Sequence, residues 1–303
     1  MPSGDKYLII VAGPTAIGKS DLSIALAKEF HCEILSADSR QFYKEMAIGT
    51  AKPTSEEMQD IPHHFIDNIS IEDPYTVGKF EQEAIATLNK IYKKNDVALM
   101  VGGSGLYINA VLYGLDDIPQ NNPEIRKQLD ENYRLHGIEW LQQKLKEIDP
   151  DYFSVAEINN THRVMRAIEV SMIAGVPYSQ LLNKNKVQRP FKTIFIVLNT
   201  DREMLYHRIN KRVDTMMQKG LLEEVKFLLP HKNNNALNTV GYKELFAYLD
   251  EKSTLHEAVD SIKQNSRRYA KRQITWFKKN KEAKWFEPKD KEEIIKYIRG
   301  NIV

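Results

Sequence analysis

The amino-acid sequence predicts an α/β fold, in which a parallel β-sheet carries helices on both faces and a helical lobe is inserted into the chain. Short apolar runs alternate with helical segments over the first 115 residues, an arrangement typical of a parallel sheet wound by right-handed crossovers. Residues 116–190 have helical patterning and no convincing strand, and residues 191–198 return to strand character. We therefore expect a core of residues 1–115 and 191–303 and an all-helical insertion domain of residues 116–190.

The individual elements follow from the spacing of apolar residues. A short continuous apolar run predicts a buried parallel strand, and apolar residues three or four apart predict a helix. After Asp201 we interpret the chain as helical to its end, with Thr254 and Glu257 as a capping box at the start of a long basic helix. The predicted strands are Tyr7–Ala12, Glu33–Ala37, Val97–Val101 and Phe191–Leu198, and the earlier predicted helices are Lys19–Phe30, a short one within Pro53–Asp60, and Val77–Lys93.

The composition excludes several classes of protein. The 303 residues are 42% apolar and 28% charged, as in an ordinary globular protein. No apolar run approaches the roughly 18 residues that span a bilayer, and the N-terminus does not resemble a secretory signal. The single cysteine, Cys32, excludes an internal disulfide and a cysteine-based zinc site. We expect a cytoplasmic, monomeric protein that does not enter membranes.

Positive charge is concentrated towards the C-terminus. From Lys263 onwards there are 13 Lys and Arg against 5 Asp and Glu, although the net charge of the whole chain is only +2. Such a segment is either a footprint for a polyanion or a solvated helix face, and charge alone does not decide between them. Among these cations, Tyr269, Trp276 and Phe277 are expected to pack against the core.

A phosphate-binding loop follows the first predicted strand. The sequence GPTAIGKS matches the P-loop pattern G-x-x-x-x-G-K-[ST] at every fixed position and lies between a strand and a helix. We expect Lys19 to reach the terminal phosphate and the Ser20 hydroxyl to bind Mg²⁺, so that the core is P-loop NTPase-like. The predicted phosphate-binding residues are Gly13, Pro14, Thr15, Ala16, Ile17, Gly18, Lys19 and Ser20.

Two further strand ends bear on the chemistry. An ATPase or GTPase usually has an aspartate closing a later strand, but Val97–Val101 is followed by Gly102-Gly103-Ser104, which favours a site that holds phosphate as a leaving group. Asp38 follows the second strand and should share the functional rim of the sheet with the P-loop. The residues alone leave Asp38 open as a general base or as a turn residue.

Seven blocks spread along the chain can be compared with known families. They are GPTAIGKS at 13–20, DSRQFYKEMAIGTAKPT at 38–54, PHHFID at 62–67, VGGSGLYINAVLYGL at 101–115, HRVMRAIEV at 162–170, TVGYKEL at 239–245 and RRYAKRQITWF at 267–277. With these blocks the sequence resembles the tRNA dimethylallyltransferase (tRNA isopentenyltransferase) family along almost its whole length. The P-loop is shared with many NTPases, whereas the blocks after residue 38 and near the C-terminus are far more specific. Ala47 departs from the pattern, because the family often has an acidic residue there.

The resemblance implies a reaction. A dimethylallyl group would pass from dimethylallyl diphosphate to N6 of the adenosine 3′-adjacent to the anticodon of tRNA, with release of diphosphate and assistance from Mg²⁺. Asp38 matches the family's general base. An arginine often completes a diphosphate clamp, and Arg212 is the first candidate, with Arg208 on the same helix face as the second.

The resemblance also implies a set of tRNA-binding residues. Those in the core would receive the extruded base and its neighbours, and those in the insertion would contact the anticodon stem-loop. The alternatives are prenyl transfer to a free adenine nucleotide, a small-molecule P-loop kinase, and a P-loop RNA-binding regulator without catalysis. The implied tRNA-binding residues are Asp38, Ser39, Arg40, Gln41, Ser104, Arg126, His162, Arg163, Arg166, Gly241 and Lys243.

Overall fold

The computed structural model describes residues 4–182 and 187–302. Its described strands form one six-stranded sheet in which every pairing is parallel, as predicted. The four predicted strands are all present, each within one or two residues of its expected limits. The strands are β1 (Tyr7–Ala12), β2 (Ile34–Ser36), β3 (His63–His64), β4 (Val97–Gly102), β5 (Lys192–Leu198) and β6 (Lys284–Phe286).

Helices make up most of the remaining chain. The long basic helix begins as predicted, because the Thr254 side chain accepts a hydrogen bond from the N–H of Glu257 and the Glu257 carboxylate accepts one from the N–H of Thr254. The helices are α1 (Lys19–Glu29), α2 (Ser55–Met58), α3 (Val77–Ile91), α4 (Gly105–Tyr113), α5 (Pro123–Ile148), α6 (Pro150–Val155), α7 (Thr161–Ala174), α8 (Tyr178–Leu181), α9 (Arg202–Gln218), α10 (Leu221–Phe227), α11 (Tyr242–Leu249), α12 (Leu255–Phe277) and α13 (Lys291–Asn301).

The strand order β3-β2-β4-β1-β5-β6 places β1 at the centre of the sheet. All six residues of β1 are buried, because helices cover both faces of a parallel sheet. In the ladder, Ala12 lies opposite Gly102 of β4 on one side and Val197 of β5 on the other. The loops that follow β1, β2, β4 and β5 therefore meet at one rim, where parallel α/β sheets place their functional groups.

One expectation about the fold is wrong. The chain after Asp201 is not helical to its end, since Lys284–Phe286 forms β6 and extends the sheet beyond β5. The other edge strand, His63–His64, likewise has no counterpart among the predicted strands. Both strands are two or three residues long and contain polar residues, so neither has the apolar run from which a buried strand is recognised.

The chain divides into two compact units. The first contains the residues up to Leu112 and those from Arg189 onwards, and the second is Tyr113–Gln188. The sequence placed the insertion at 116–190. Within its described residues the second unit contains helices and no strand. Its core is formed by Leu129, Leu141, Leu145, Val164, Met165, Ala167 and Ile168.

Among the helices of residues 4–182 and 187–302, none is both long enough and sufficiently apolar to cross a membrane.

Candidate active site

The loop between β1 and α1 has the backbone of a phosphate-binding turn. Gly13 and Gly18 have φ angles of +152° and +102°, which residues with a side chain rarely adopt. A Cβ atom on Gly13 would lie only 2.7 Å from the carbonyl oxygen of Leu198. Ala16 is also left-handed, with φ of +62°. The loop leads directly into the N-terminus of α1, where the helix dipole favours an anion.

Lys19 lies in the first turn of α1 and folds back over the loop. Its Nζ donates hydrogen bonds to the carbonyl oxygens of Gly13 at 3.0 Å and Pro14 at 2.7 Å. Burial lowers the pKa of Lys19 to about 8, while the charge of Asp38 opposes this shift and the charge of Arg212 adds to it. Lys19 is therefore a desolvated cation bound to backbone carbonyls at the phosphate-binding loop.

Two arginines of α9 approach the same loop, as their spacing of one helical turn predicts. Arg208 Nη1 donates to the carbonyl oxygen of Ile17 at 3.0 Å. Arg212 Nη2 donates to the carbonyl oxygen of Thr50 at 3.3 Å. Burial lowers the pKa of Arg212, and the nearby charge of Asp38 counteracts this. Both guanidinium groups line the cavity at the P-loop.

Asp38 lies two residues beyond the end of β2. Its Oδ1 accepts a hydrogen bond from the N–H of Arg40 at 3.0 Å, which is a turn-type interaction. The side chain is half-buried and faces the cavities described next. The turn and general-base interpretations are thus compatible, because the hydrogen bond uses one oxygen of the carboxylate.

Two cavities meet at Asp38. The larger, of 440 Å³, is lined by the P-loop from Thr15 to Ser20 and by both arginines. The smaller, of 230 Å³, is lined by residues that include Ser39, Arg40 and Gly241. Because the same residues line both cavities, a group bound in one would lie next to a group bound in the other. The shared residues are Thr15, Ala16, Asp38, Arg212 and Tyr269.

Comparison with known proteins identifies the family. The family model described as IPP transferase matches residues 41–280, which is most of the chain. The chain belongs to the IPP transferase family. The tRNA dimethylallyltransferase of Christiangramia forsetii is 54% identical over 98% of this chain and 98% of the relative. The enzyme of the same name from Flavobacterium psychrophilum is 52% identical over 96% of this chain and 97% of the relative.

Solved structures of the family have the same fold. The full-length tRNA isopentenylpyrophosphate transferase of Bacillus halodurans is 37% identical, with a TM-score of 0.73 over 98% of this chain and 97% of that one. A eukaryotic dimethylallyltransferase acting on tRNA is 30% identical, with a TM-score of 0.74 over 90% of this chain and 70% of that one. The IPP transferase fold therefore covers both units of the chain.

Within the IPP transferase range, the residues after Asp38 form a connected polar network. The Ser104 hydroxyl accepts from the N–H of Ser39 at 3.2 Å. Arg40 Nη1 donates to the carbonyl oxygen of Ala236 at 3.0 Å, and Gln41 Nε2 donates to those of Thr50 and Ala51 at 3.4 and 3.3 Å. These residues are brought together as predicted, whereas Lys243 is exposed at the start of α11. Their contact with tRNA stays a prediction.

The predicted residues of the insertion have different surroundings. Arg166 Nη1 donates to the fully buried carboxylate of Glu169 at 3.1 Å, and Arg126 lies 3.7 Å from the same carboxylate. Arg163 pairs at 3.0 Å with Glu157 on the surface. His162 is exposed and, with Arg126, lines a separate cavity of 520 Å³ within the insertion. Arg126 and Arg166 thus stabilise the insertion itself, and a role in tRNA binding would come in addition.

Of the three C-terminal aromatic residues, two pack as expected. Phe277 is buried, and Trp276 packs on Gly105, where a Cβ atom would lie 2.2 Å from the indole ring. Tyr269 instead lines both cavities. Although the residue as a whole is 36% exposed, desolvation of its hydroxyl raises the pKa of Tyr269 to about 12, and the charge of Asp38 adds to this effect. The phenol is therefore neutral and polar beside the candidate base.

The cations of α12 are divided between two environments. Arg267 Nη1 donates to Asn210 Oδ1 at 2.6 Å and is half-buried. Arg268, Lys271 and Arg272 are exposed, as a polyanion footprint requires. A solvated helix face requires the same exposure, so both interpretations of the basic segment stand and its contact with RNA stays a prediction.

Two residues that bond to the loops of the site were missed by the sequence reasoning. Gln273 of α12 bonds to the P-loop and to the loop after β4. Glu224 of α10 accepts the N–H groups of Ala47, Ile48 and Gly49 at 3.0, 2.7 and 3.0 Å. Gln273 lies in a block that the family resemblance highlights, which was the available signal. Glu224 lies in none of those blocks.

Glu224 fixes the loop that supports Arg212. Besides the three amides, it accepts a hydrogen bond from the hydroxyl of Tyr242 at 2.7 Å. The amides that it binds immediately precede Thr50, whose carbonyl oxygen bonds to Arg212 and Gln41. The departure from the family pattern at Ala47 leaves this contact intact, since Ala47 bonds through its backbone.

Proposed function

We propose that this protein transfers a dimethylallyl group from dimethylallyl diphosphate to N6 of the adenosine 3′-adjacent to the anticodon of tRNA. The observation that carries the proposal is the position of Asp38, a carboxylate shared by the P-loop cavity and a second cavity beside it. The names of the relatives, tRNA dimethylallyltransferases, support the same activity. Transfer needs a donor and an acceptor on either side of one base, and the two adjoining cavities suit that requirement.

The larger cavity is the proposed donor site. Its P-loop amides and its cations, Lys19, Arg208 and Arg212, suit a diphosphate. Because these cations are bonded to backbone carbonyls, their positive charge is available to an anion. They would stabilise the negative charge that grows on diphosphate as it leaves, more strongly than they stabilise the bound donor, and this difference accelerates the reaction.

The transfer itself is a substitution at an allylic carbon. The N6 lone pair of adenine forms a bond to C1 of the dimethylallyl group. The C1–O bond breaks and its electron pair departs with diphosphate. Asp38 takes the N6 proton, which makes the weakly nucleophilic exocyclic amine a better nucleophile while the C–N bond forms. Atoms and charge balance, since the base gains one proton and the nucleic acid gains one alkyl group.

The proposed metal is Mg²⁺, with Ser20 as its protein ligand. Ser20 is exposed in the first turn of α1, next to Lys19. Among the residues that the structure describes, no three His, Cys, Asp or Glu side chains are grouped to hold an ion. A site with a single hydroxyl as its protein ligand suits Mg²⁺, which usually retains water and binds through few protein groups together with substrate phosphates. When bound, Mg²⁺ would neutralise charge on the diphosphate.

The smaller cavity is the proposed site for the adenine. A stacked base has to swing out of the anticodon loop to reach a recessed carboxylate. Ser39, Arg40 and Gly241 line this cavity and would offer hydrogen-bonding groups to the base. Ser104 bonds to the N–H of Ser39, whereas Gln41 lines the larger cavity. The cations of the insertion would bind the anticodon stem. We further propose that the protein acts as a monomer in the cytoplasm.

The decisive experiment supplies dimethylallyl diphosphate and Mg²⁺ with three acceptors in parallel: unmodified tRNA, adenosine monophosphate, and water alone. Nucleoside mass analysis should find one dimethylallyl group on a tRNA adenosine. Modification of the free nucleotide without modification of tRNA would favour the alternative acceptor. Release of diphosphate or phosphate without any alkylated product would contradict transfer.

The role of Asp38 is tested by Asp38→Asn, which preserves the size of the side chain and its acceptor for Arg40. We expect single-turnover transfer to fall by about 10²–10⁴-fold, while tRNA affinity stays close to that of the unaltered protein. A matched control is Asp60→Asn on the exposed loop before β3. Full transfer by Asp38→Asn would remove Asp38 as the base.

A further inference from the structure

Gln273 joins two loops at the active rim of the sheet. Its Oε1 accepts a hydrogen bond from the N–H of Thr15 in the P-loop at 2.9 Å. Its Nε2 donates to the carbonyl oxygen of Gly103, after β4, at 2.9 Å. The side chain is 6% exposed, although it reaches from the helix that carries the basic face. One buried amide thus connects the phosphate loop to the loop of the neighbouring strand.

The chemistry of this bridge requires an amide. One end has to accept from an N–H group and the other has to donate to a carbonyl oxygen, and the side-chain amide of Gln offers both on one short planar group. The contact is also sterically close, because a Cβ atom on Gly103 would lie 2.1 Å from Nε2 of Gln273. Glutamate would keep the acceptor and lose the donor, and methionine would lose both.

The bridge acts next to a residue of the P-loop with a left-handed backbone. Thr15 directly precedes Ala16, whose left-handed backbone costs free energy in a residue with a side chain. The N–H of Thr15 is bonded to Gln273, so that its orientation, and that of the neighbouring peptide groups, is set from α12. One turn earlier on α12, Tyr269 lines both cavities. The same helix therefore borders the candidate base and fixes the phosphate loop.

We infer that Gln273 is a positioning residue for the donor, fixing the P-loop so that the leaving diphosphate is held in register with Asp38. This inference rests on the proposed function. Gln273 acts through the backbone of Thr15 and Gly103. Its loss should impair recognition of the donor and leave recognition of tRNA unchanged.

The experiment compares Gln273→Met and Gln273→Glu with Gln264→Met and Gln264→Glu, since Gln264 is an exposed glutamine of the same helix. Binding of inorganic pyrophosphate with Mg²⁺ is measured by calorimetry, and KM for dimethylallyl diphosphate and for tRNA is measured separately. Losing the bridge should weaken pyrophosphate binding and raise the donor KM by about tenfold. Gln273→Glu should be the more affected variant, because its charge repels the Gly103 carbonyl and the anion.

Several outcomes would overturn the inference. One is that Gln273→Met binds pyrophosphate as tightly as the wild-type protein and has the same KM for dimethylallyl diphosphate. Another is a lower melting temperature together with a lower kcat and equal increases in both KM values, which would indicate a purely structural role. Gly103→Ala provides an independent variant, because its Cβ displaces the amide of Gln273, and it should reproduce the donor-specific defect. The wild-type protein could also fail to alkylate tRNA while its pyrophosphate binding still depends on Gln273. That result would contradict the proposed function and leave the role of Gln273 in fixing the P-loop in place.

Discussion

The cations of the P-loop rim and those of the insertion differ in their partners. Rim cations bond to backbone carbonyl oxygens, as Lys19 does with Gly13 and Pro14. Insertion cations pair with carboxylates, as Arg166 does with buried Glu169. A carbonyl oxygen orients a cation without neutralising it, whereas a carboxylate cancels its charge. The rim is thus prepared for an anionic ligand, and the insertion uses much of its charge to stabilise its own fold.

Of the three tests of this comparison, the one at the rim should give the largest effect. Lys19→Ala should lower single-turnover transfer by about 10²–10³-fold, because the leaving diphosphate loses a preorganised charge. Affinity for tRNA, measured by filter binding, should stay nearly unchanged. Lys28→Ala, an exposed lysine of α1, is the matched control. Equal losses of transfer and tRNA affinity would contradict the division between the two regions.

An intermediate effect is expected from the buried carboxylate of the insertion. Glu169→Gln leaves two guanidinium groups without their anion and should destabilise the protein by about 2 kcal/mol, which chemical denaturation would detect. Glu157→Gln removes an exposed partner and should cost about 0–0.5 kcal/mol. If both variants were equally stable, Glu169 would not organise this unit. If Glu169→Gln instead raised tRNA affinity, the released arginines would be RNA ligands held in check by the carboxylate.

The smallest effect concerns an exposed cation of the insertion. Arg163→Ala should weaken tRNA binding about threefold and lower the slope of log affinity against log salt by about 1, if it contacts a phosphate. Thermal stability should not change, because the pair with Glu157 is on the surface. An unchanged salt dependence would remove Arg163 from the interface. Arg134→Ala, at another exposed arginine of the insertion, serves as the control.

The parts of the fold that the sequence predicted are those with local causes. The buried strand Tyr7–Ala12, the glycine loop and the helix from Lys19 are encoded by contiguous residues, and all three were predicted. The edge strands His63–His64 and Lys284–Phe286 were not. Such short strands are defined by backbone pairing with β2 and β5, which leaves little trace in their own composition.

The site divides in the same way. Lys19 and Ser20 follow from a motif, and Asp38 follows from the rule that functional groups collect at strand ends. Gln273 bonds to Thr15 across 258 positions of sequence, and Glu224 bonds to Gly49 across 175. No local pattern reports such a pairing. An amide or carboxylate on an amphipathic helix gives no indication of which distant backbone it will meet.

Residues 47 and 49 both donate their backbone N–H to Glu224, but they should differ in their tolerance of substitution. Residue 47 contributes only backbone groups, its N–H to Glu224 and its carbonyl oxygen to Thr50 and Lys52, so many amino acids should be acceptable there. Residue 49 is confined to glycine, because any Cβ would lie 2.6 Å from the aromatic ring of Tyr242. Two positions only two residues apart should therefore differ sharply in the number of amino acids that they accept.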